Sequence, residues 1–245
     1  MGGVMVIAHV SDLHLDGGSR AAERARRVHD HLAGLPGRLD AVLVSGDIAD
    51  HGLPAEYAEA RPLLDLPHPV LVLPGNHDTR AAFRTGLLDE PASDEPVNRV
   101  VEVGGAVFAL CDSTIPGRSE GRLADETLAW LDDVLGDGPS FVCFHHPPVE
   151  LHAPHLDRIR QFDEHRLAEV VRRHPGVVAV LCGHAHTAAA STFAGRPLLV
   201  APGVVSTIQL PWEGPDVIDP AQPAAIAYHV LADDGRLTTH YRFVA

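Results

Sequence analysis

The 245-residue sequence contains no lysine, so all 19 of its basic residues are arginine. With 33 acidic residues, its formal net charge is −14. A protein that binds a long nucleic acid usually presents a basic face, with aromatic rings that stack on the bases. Aromatic residues make up only 5% of this chain, and no run of arginine alternates with them. Composition therefore argues against a nucleic-acid polymer as ligand but allows a small anion, provided that bound metal ions supply positive charge.

Long apolar segments and paired cysteines are also missing. The chain has no run of about 18 apolar residues, the length that suggests a transmembrane helix. Its opening Met-Gly-Gly-Val-Met-Val-Ile lacks the charged segment of a signal peptide. The three cysteines, Cys111, Cys143 and Cys182, lie in separate apolar runs, which argues against a disulfide framework and favours a reducing compartment. We therefore predict a cytoplasmic protein without a membrane span.

Apolar runs alternate with helical segments along most of the chain, which predicts an α/β fold in one domain, residues 1–245. Strands are predicted at residues 4–10, 41–44, 70–73, 99–103, 106–111, 141–144, 177–181, 188–193, 198–200, 225–231 and 237–243. Helices are predicted at 20–33, 54–64, 123–135 and 163–173. Residues 147–157 and the proline-rich residues 211–223 are predicted to be surface loops.

Polar side chains follow five of the predicted strands. The residues at these strand ends are Asp12 and His14, Asp47, Asn76 and His77, His145 and His146, and His184 and His186. In open α/β sheets the carboxyl ends of the strands form the ligand crevice, so these side chains are expected to converge. A set of nitrogen and oxygen donors without sulfur suits manganese, iron, cobalt or zinc.

Each of these residues also has an ordinary structural explanation. Asp47 could cap a helix or lie in a turn, where aspartate is favoured. Asn76 could adopt a left-handed turn conformation, and His145 could be a hydrogen-bonded core histidine. The joint occurrence of five polar clusters, each at a strand end, is what favours a metal site.

The motif set resembles that of the calcineurin-like metallophosphoesterase superfamily. The matching motifs are Asp12-Leu13-His14, Gly46-Asp47-Ile48-Ala49-Asp50, Gly75-Asn76-His77-Asp78, His145-His146 and Gly183-His184-Ala185-His186. Within that superfamily, Asp112-Ser113-Thr114-Ile115-Pro116-Gly117, Trp130-Leu131 and His145-His146-Pro147-Pro148 look like the bacterial class III cyclic-nucleotide phosphodiesterases and the related glycerophosphodiesterases. The resemblance extends over residues 4–203 and implies a four-layer α/β/β/α sandwich of two mixed sheets flanked by helices.

The resemblance also implies a site with two divalent or trivalent transition-metal ions, manganese, iron or zinc. Its ligands would be Asp12, His14, Asp47 and His186 for the first ion, and Asp47, Asn76, His145 and His184 for the second. Asp47 would bridge the two ions. Of the adjacent histidines, His145 is chosen as the ligand because it lies nearest the strand end, which leaves His146 an outer or packing role.

Two ions about 3.5–4 Å apart can stabilise both the attacking and the leaving oxygen of a phosphoester, and they lower the pKa of a bridging water. The resemblance implies that His77 contacts phosphate oxygens or assists the leaving alkoxide. Asp50 could orient His77, or it could be a solvated turn carboxylate. Asp78 is predicted to cap a helix that begins near Thr79.

We therefore expect hydrolysis of a small anionic phosphodiester, first of all a 3′,5′-cyclic nucleotide such as cAMP. A broad phosphodiesterase or phosphomonoesterase of glycerophosphodiester type is the alternative, and a catalytically silent metal-binding interaction module is the alternative from another class. Against a protein phosphatase, His51 stands where that family has arginine. Oligomeric state stays open, since the apolar residues 200–210 would suit a homodimer contact or a buried final strand.

Overall fold

The computed structural model describes residues 3–244, which form thirteen strands and six α-helices. The strands are β1 Met5–Val10, β2 Ala41–Val44, β3 Val70–Val72, β4 Arg99–Val103, β5 Ala106–Leu110, β6 Ser140–Cys143, β7 Val177–Cys182, β8 Ala189–Phe193, β9 Arg196–Val200, β10 Thr207–Ile208, β11 Ile218–Asp219, β12 Ala224–Leu231 and β13 Leu237–Val244. The helices are α1 Ser19–Ala33, α2 Pro54–Leu63, α3 Arg80–Phe83, α4 Asp125–Val134, α5 Pro154–Asp157 and α6 Glu164–Arg173.

Most strands belong to two large mixed sheets. The first has the order β13-β12-β1-β2-β3, in which β1, β2 and β3 are parallel. The second has the order β4-β5-β6-β7-β9-β8, in which β5, β6, β7 and β9 are parallel. The predicted hairpin of β4 and β5 is confirmed; it turns at Gly104 and Gly105, whose φ angles of 57° and 83° favour glycine. In each sheet, the carboxyl ends of parallel strands share one edge.

Three apolar cores separate four layers. Helix α1 buries Ala21, Ala25, Val28 and Leu32, which recur at helical spacing, against the outer face of the first sheet. Helices α4 and α6 cover the outer face of the second sheet in the same way. Between the sheets lies a third core, in which the rings of Phe108 and Phe141 stack with centroids 4.9 Å apart. The predicted α/β/β/α sandwich is therefore confirmed.

Two predicted loops contain short elements. Residues 211–223 include β11, which pairs antiparallel with β10, and residues 147–157 end in the four-residue α5. Elements this short carry no readable periodicity in the sequence. The apolar stretch 200–210 is mostly buried within the chain, with Val200, Val204 and Val205 in its cores. In the described part of the chain, no helix has the length and apolarity needed to cross a membrane.

Candidate metal centre

The seven predicted metal ligands lie together where the carboxyl ends of β1, β2, β3, β6 and β7 meet. The two sheets contribute to the same cluster: Asp12, His14, Asp47 and Asn76 follow strands of the first sheet, and His145, His184 and His186 follow strands of the second. Residues distant in sequence are in contact here. Ring nitrogens of His14 and His186, for example, lie 3.1 Å apart.

Four side chains surround one side of the cluster. His14 Nε2 lies 3.1 Å from His186 Nε2 and 3.5 Å from Asp47 Oδ2. His186 Nε2 also lies 3.5 Å from Asp12 Oδ1. These atoms are close enough to share one cation, and they are the set expected for the first metal ion.

The other side of the cluster contains the set expected for the second ion. His145 Nε2 lies 3.2 Å from Asp47 Oδ2 and 3.3 Å from His184 Nδ1. Asp47 Oδ2 therefore faces imidazoles of both halves, which is the geometry that a bridging ligand requires. The other oxygen of this carboxylate, Oδ1, accepts a hydrogen bond from the backbone N–H of His77 at 2.9 Å.

Unpartnered buried atoms test whether metal ions fit. Asp12 is 0% exposed, yet neither of its carboxylate oxygens has a hydrogen-bond partner among residues 3–244. Asn76 Oδ1 and His184 Nε2 are also buried without a partner in that part of the chain. A buried charge without a partner is costly, and buried polar groups are normally hydrogen-bonded or bind a metal. The donor set thus supports two metal ions.

Outer hydrogen bonds orient the histidines. His145 Nδ1 donates to the backbone carbonyl of Ser45 at 2.7 Å, and His186 Nδ1 lies 3.0 Å from Ser206 Oγ. His14 Nδ1 is 2.7 Å from Asp50 Oδ1. A metal-binding histidine usually donates its second N–H to such a partner, which fixes the ring and its tautomer. Each of these rings therefore turns its Nε2 toward the cluster.

Five of the seven residues have a left-handed backbone. The φ angles are 58° at Asp12, 45° at His14, 48° at Asp47, 67° at His184 and 50° at His186. Non-glycine residues rarely adopt this conformation, which costs roughly 1 kcal/mol or more per residue. Backbone hydrogen bonds between neighbouring turns hold it, including Asp12 N to Gly46 O at 3.1 Å.

Asn76 does not have the left-handed backbone that was considered for it, since its φ is not positive. Instead, the residue before it allows the close approach of two turns. A Cβ atom added at Gly75 would lie 2.2 Å from Asp47 Oδ1. Glycine at this position therefore lets the turn that carries Asn76 pack directly on the turn that carries Asp47.

Asp78 does not cap a helix, and that prediction is wrong. Its carboxylate is buried and accepts hydrogen bonds from the backbone N–H groups of Ile48, Ala49 and Gly75 at 3.2, 3.0 and 2.9 Å. The Tyr57 hydroxyl donates to it at 3.0 Å. Burial, with the nearby Asp47 charge, raises the pKa of Asp78 to about 6. The Asp78 carboxylate thus links the turn after β2 to the turn after β3 and does not bond to the amides at the N-terminus of α3.

His77 lies at the rim of the cluster. Its side chain is 40% exposed, and its ring meets that of His14 edge-on with centroids 4.6 Å apart. His77 Nδ1 donates to the backbone carbonyl of Asp50 at 2.7 Å, whereas the Asp50 carboxylate is 3.6 Å away. Asp50 therefore contacts both residues: its carbonyl orients His77 and its carboxylate orients His14.

Other buried polar groups around the cluster were not predicted. His9 Nε2 lies 2.8 Å from Ser45 Oγ, and His9 Nδ1 lies 3.1 Å from His229 Nε2. Burial lowers the pKa of both histidines, that of His229 to about 3, so they are neutral. They pack behind Ser45, whose carbonyl holds His145. His9 lies on β1 and His229 on the neighbouring β12, and which of their side chains meet depends on the register of the two strands, which the sequence does not give.

His146 also borders the cluster, so the choice of His145 as the ligand of this pair stays a prediction. One ring nitrogen of His146 lies within 4.8 Å of nitrogens of His145 and His184, and its buried Nε2 has no hydrogen-bond partner among residues 3–244. His146 Nδ1 lies 2.8 Å from the Ser113 hydroxyl, and the ring is fully buried. A Cβ atom added at Gly121 would lie 2.4 Å from this ring. His146 thus packs residues 113–121 against the second sheet. The nearby ion pair of Arg80 Nε and Asp112 Oδ2, 2.8 Å long, was also not predicted.

The charges within the cluster predict that metal binding depends on pH. Burial opposes protonation of His145, but the Asp47 carboxylate outweighs burial and raises the pKa of His145 to about 9. The same imidazole hydrogen-bonds Asp47 and, against the effect of burial, holds the pKa of that carboxyl well below its usual range. Metal binding requires neutral imidazole, so an ion bound at His145, where it is predicted, would displace this proton.

We therefore expect metal affinity to fall as the pH drops below about 9, by about tenfold per pH unit for one displaced proton. The sign follows because protons and the metal compete for the same nitrogen. Titration calorimetry with Mn²⁺ in buffers of different ionisation enthalpy would measure the protons released. An observed enthalpy independent of the buffer at pH 7 would contradict the expectation.

Two cavities open onto the cluster. One, of about 390 Å³, is lined by His14, Asp47, Asn76, His184 and His186 and also by several aliphatic side chains. The other, of about 700 Å³, is lined by polar and charged groups that include Thr79, Arg80, Thr114 and Arg118. Asp50, Asn76, His77 and Ser119 line both. A ligand at the metal positions therefore has space on two sides of His77.

Comparison with known proteins gives the family. A family model described as calcineurin-like phosphoesterase matches residues 5–188. A glycerophosphodiester phosphodiesterase of Enterobacter lignolyticus is 36% identical over 219 residues, which cover 83% of this chain and 79% of that protein. A cAMP/cGMP dual specificity phosphodiesterase of Mycobacterium tuberculosis is 34% identical over 221 residues, which cover 84% of this chain and 69% of that protein.

A solved structure shares the fold. It is a dimetal phosphatase from Danio rerio, which superposes with a TM-score of 0.72 at 17% identity and covers 98% of this chain and 96% of that one. The superposition agrees with the four-layer architecture, and the family model spans all the strand ends from Asp12 to His186. The chain therefore belongs to the calcineurin-like phosphoesterase family and is a metal-dependent phosphodiester hydrolase.

Proposed function

We propose that this chain hydrolyses small phosphodiesters at a dinuclear metal site, with 3′,5′-cyclic nucleotides such as cAMP as the first substrate class. The observation that carries the proposal is the convergence of the seven proposed ligands at one cluster, in which Asp47 Oδ2 lies 3.5 Å from His14 Nε2 and 3.2 Å from His145 Nε2. Two cavities leave space for a diester substrate: Asp47 lines the smaller one, and Asn76 and His77 line both.

In this proposal, Asp12, His14, Asp47 and His186 hold one ion, and Asp47, Asn76, His145 and His184 hold the other. Manganese, iron and zinc all suit this nitrogen and oxygen donor set. When bound, two ions supply positive charge for the phosphate oxygens and an activated water as nucleophile. The protein contributes the positions: outer hydrogen bonds from Asp50, Ser45 and Ser206 fix the imidazoles that bind them.

His77 is proposed to act on the leaving group. Its Nδ1 is held by the Asp50 carbonyl, so its Nε2 is free to face the cavity next to the metal positions. From that position it can donate a proton to the leaving alkoxide or a hydrogen bond to a phosphate oxygen, as general acids do from hydrogen-bond distance. Asp50 is proposed to support this residue and His14 together.

The proposed substrate class rests on the names of similar proteins. The relative from Mycobacterium tuberculosis is named for cAMP and cGMP, which supports cyclic nucleotides. The relative from Enterobacter lignolyticus is named for glycerophosphodiesters, which supports the alternative of a broad phosphodiesterase or phosphomonoesterase. The metal ligands serve either class equally, so the cavity walls must distinguish the substrates.

Three further expectations from the sequence concern a catalytically silent module, the cellular location and a homodimer. A catalytically silent module would be expected to lack one or more ligands, whereas all seven are present here. A cytoplasmic location is proposed from the three cysteines, which are buried and unpaired. The homodimer stays a prediction.

The test of the proposed function is hydrolysis by protein reconstituted with Mn²⁺. Turnover of both bis(p-nitrophenyl) phosphate and cAMP is expected, with activity lost on chelation and restored by metal. Turnover of the synthetic diester without turnover of cAMP would remove cyclic nucleotides as the substrate class. Absence of turnover for both, with two ions bound, would overturn the proposed function.

A further inference from the structure

The smaller of the two cavities has an apolar wall that the metal chemistry does not use. Besides the predicted ligands, five aliphatic side chains line it: Leu156, Ile159, Val205, Ile208 and Ile218. We call these five residues the aliphatic cleft. Asn76, His77 and His184 line the same cavity, so a molecule bound at the metal positions can extend to the cleft within one cavity.

The residues that line the cleft come from separate parts of the chain. Leu156 lies in α5 and Ile159 follows it, whereas Ile208 and Ile218 face each other across the β10–β11 pair. Leu156 and Ile208 are buried in the same apolar core. Ile218 is 55% exposed although it lines the cavity, so apolar surface faces solvent at its mouth.

Two arginines of α1 hydrogen-bond to the backbone on either side of the β10–β11 pair. Arg20 Nη1 donates to the carbonyl of Val205 at 2.8 Å, and Arg24 Nε donates to that of Val204 at 2.6 Å. Arg24 Nη2 donates to the carbonyl of Gln222 at 2.7 Å, beyond the other end of the hairpin. Both ends of the segment that carries β10 and β11 are therefore attached to one helix, so the cleft is formed before a ligand arrives.

We propose that the aliphatic cleft binds the base of a nucleotide substrate, which makes it the specificity-determining part of the site. A base has two flat apolar faces and a polar edge. Aliphatic side chains can contact its faces, and His155, Arg20 and Ser206, which also line this cavity, can hydrogen-bond its edge. A volume of about 390 Å³ lies within the usual range for a small-molecule site.

The larger cavity suits a base less well. Both cavities contain charged groups, but Ile115 and Pro116 are the main apolar residues in the larger one, whereas five aliphatic side chains line the smaller one. The faces of a base would therefore find less apolar contact in the larger cavity. The assignment to the cleft rests on the proposed function, because it takes the phosphate to lie at the metal positions.

The test compares two ligands that differ only in the base. The affinities of 5′-AMP and ribose 5-phosphate for the Mn²⁺-loaded protein are measured by titration calorimetry, and turnover of bis(p-nitrophenyl) phosphate is measured on the same sample. We expect AMP to bind at least about tenfold more tightly, and Ile218→Ser to reduce that ratio by about fivefold because it removes apolar contact area. Ile159→Ser is a second variant in the opposite wall.

Val217→Ser is the matched control. Val217 precedes Ile218 in the chain and is 45% exposed, but it does not line this cavity. We expect it to leave the ratio unchanged. Equal affinities of AMP and ribose 5-phosphate would overturn the cleft assignment, as would an unchanged ratio in both isoleucine variants. Loss of all diester turnover with the AMP preference retained would instead overturn the proposed function and leave the cleft as a nucleotide site.

Discussion

Asp47→Ala is expected to reduce kcat by at least about a thousandfold and to lower the metal content of the purified protein. One carboxylate oxygen, Oδ2, faces His14 and His145 at 3.5 and 3.2 Å, so the change removes a ligand from both ions. Electrostatic stabilisation is usually the largest part of such catalysis. Turnover of bis(p-nitrophenyl) phosphate and metal analysis by mass spectrometry would measure the two effects.

Two further variants separate loss of metal from loss of fold. Asp47→Asn keeps the shape of the side chain and tolerates the left-handed backbone at this position, but it removes the charge. Asp65→Ala removes an exposed carboxylate far from the cluster and should retain activity. Wild-type turnover in Asp47→Ala with two ions bound would refute the bridging role.

His77→Ala is expected to reduce kcat by about a hundredfold to ten-thousandfold, the usual effect of removing a general acid, while metal content stays near that of the wild type. The His77 side chain lies at the rim, and the contact of this residue with Asp47 is made by its backbone N–H at 2.9 Å, which alanine retains. Steady-state kinetics with metal analysis would measure both. His240→Ala, an exposed histidine on β13, is the matched control.

The prediction depends on a difference between two measurements: His77→Ala should lower turnover but should leave the metal content unchanged. If His77→Ala loses an ion, then His77 is itself a ligand and the assigned role is wrong. A substrate with a better leaving group should lose less activity in this variant, since its alkoxide needs less help from a proton donor. An equal loss for good and poor leaving groups would indicate that His77 binds the phosphate instead.

The convergence of the seven proposed ligands was predictable because it depends on where strands end. Asp12, Asp47 and Asn76 follow parallel strands of one sheet, and the carboxyl ends of parallel strands share an edge. Apolar runs locate those strands in the sequence with errors of one or two residues, as at β1, which begins at Met5 instead of residue 4. The layered fold follows from the same alternation of strands and helices.

The supporting contacts were less predictable, because they depend on distances between turns. Asp78 resembles a helix cap in sequence, but the amides of Ile48 and Ala49, some thirty residues away, lie within hydrogen-bond distance of it. Asp50 acts on two neighbours through different atoms, which no residue pattern encodes. The β10–β11 pair is two residues long on each side, too short for a periodic signal.

Five of the seven proposed ligands have a left-handed backbone, so the proposed binding chemistry and the conformational preference of these residues conflict at the same positions. Glycine would adopt these φ angles at less cost. The substitutions that would relieve this backbone strain and stabilise the fold are therefore also those that remove the proposed ligands. An engineer seeking a thermostable variant should therefore leave this rim unchanged and look for gains in the helices and outer cores. The hydrolase retains a locally unfavourable geometry as the condition for its chemistry.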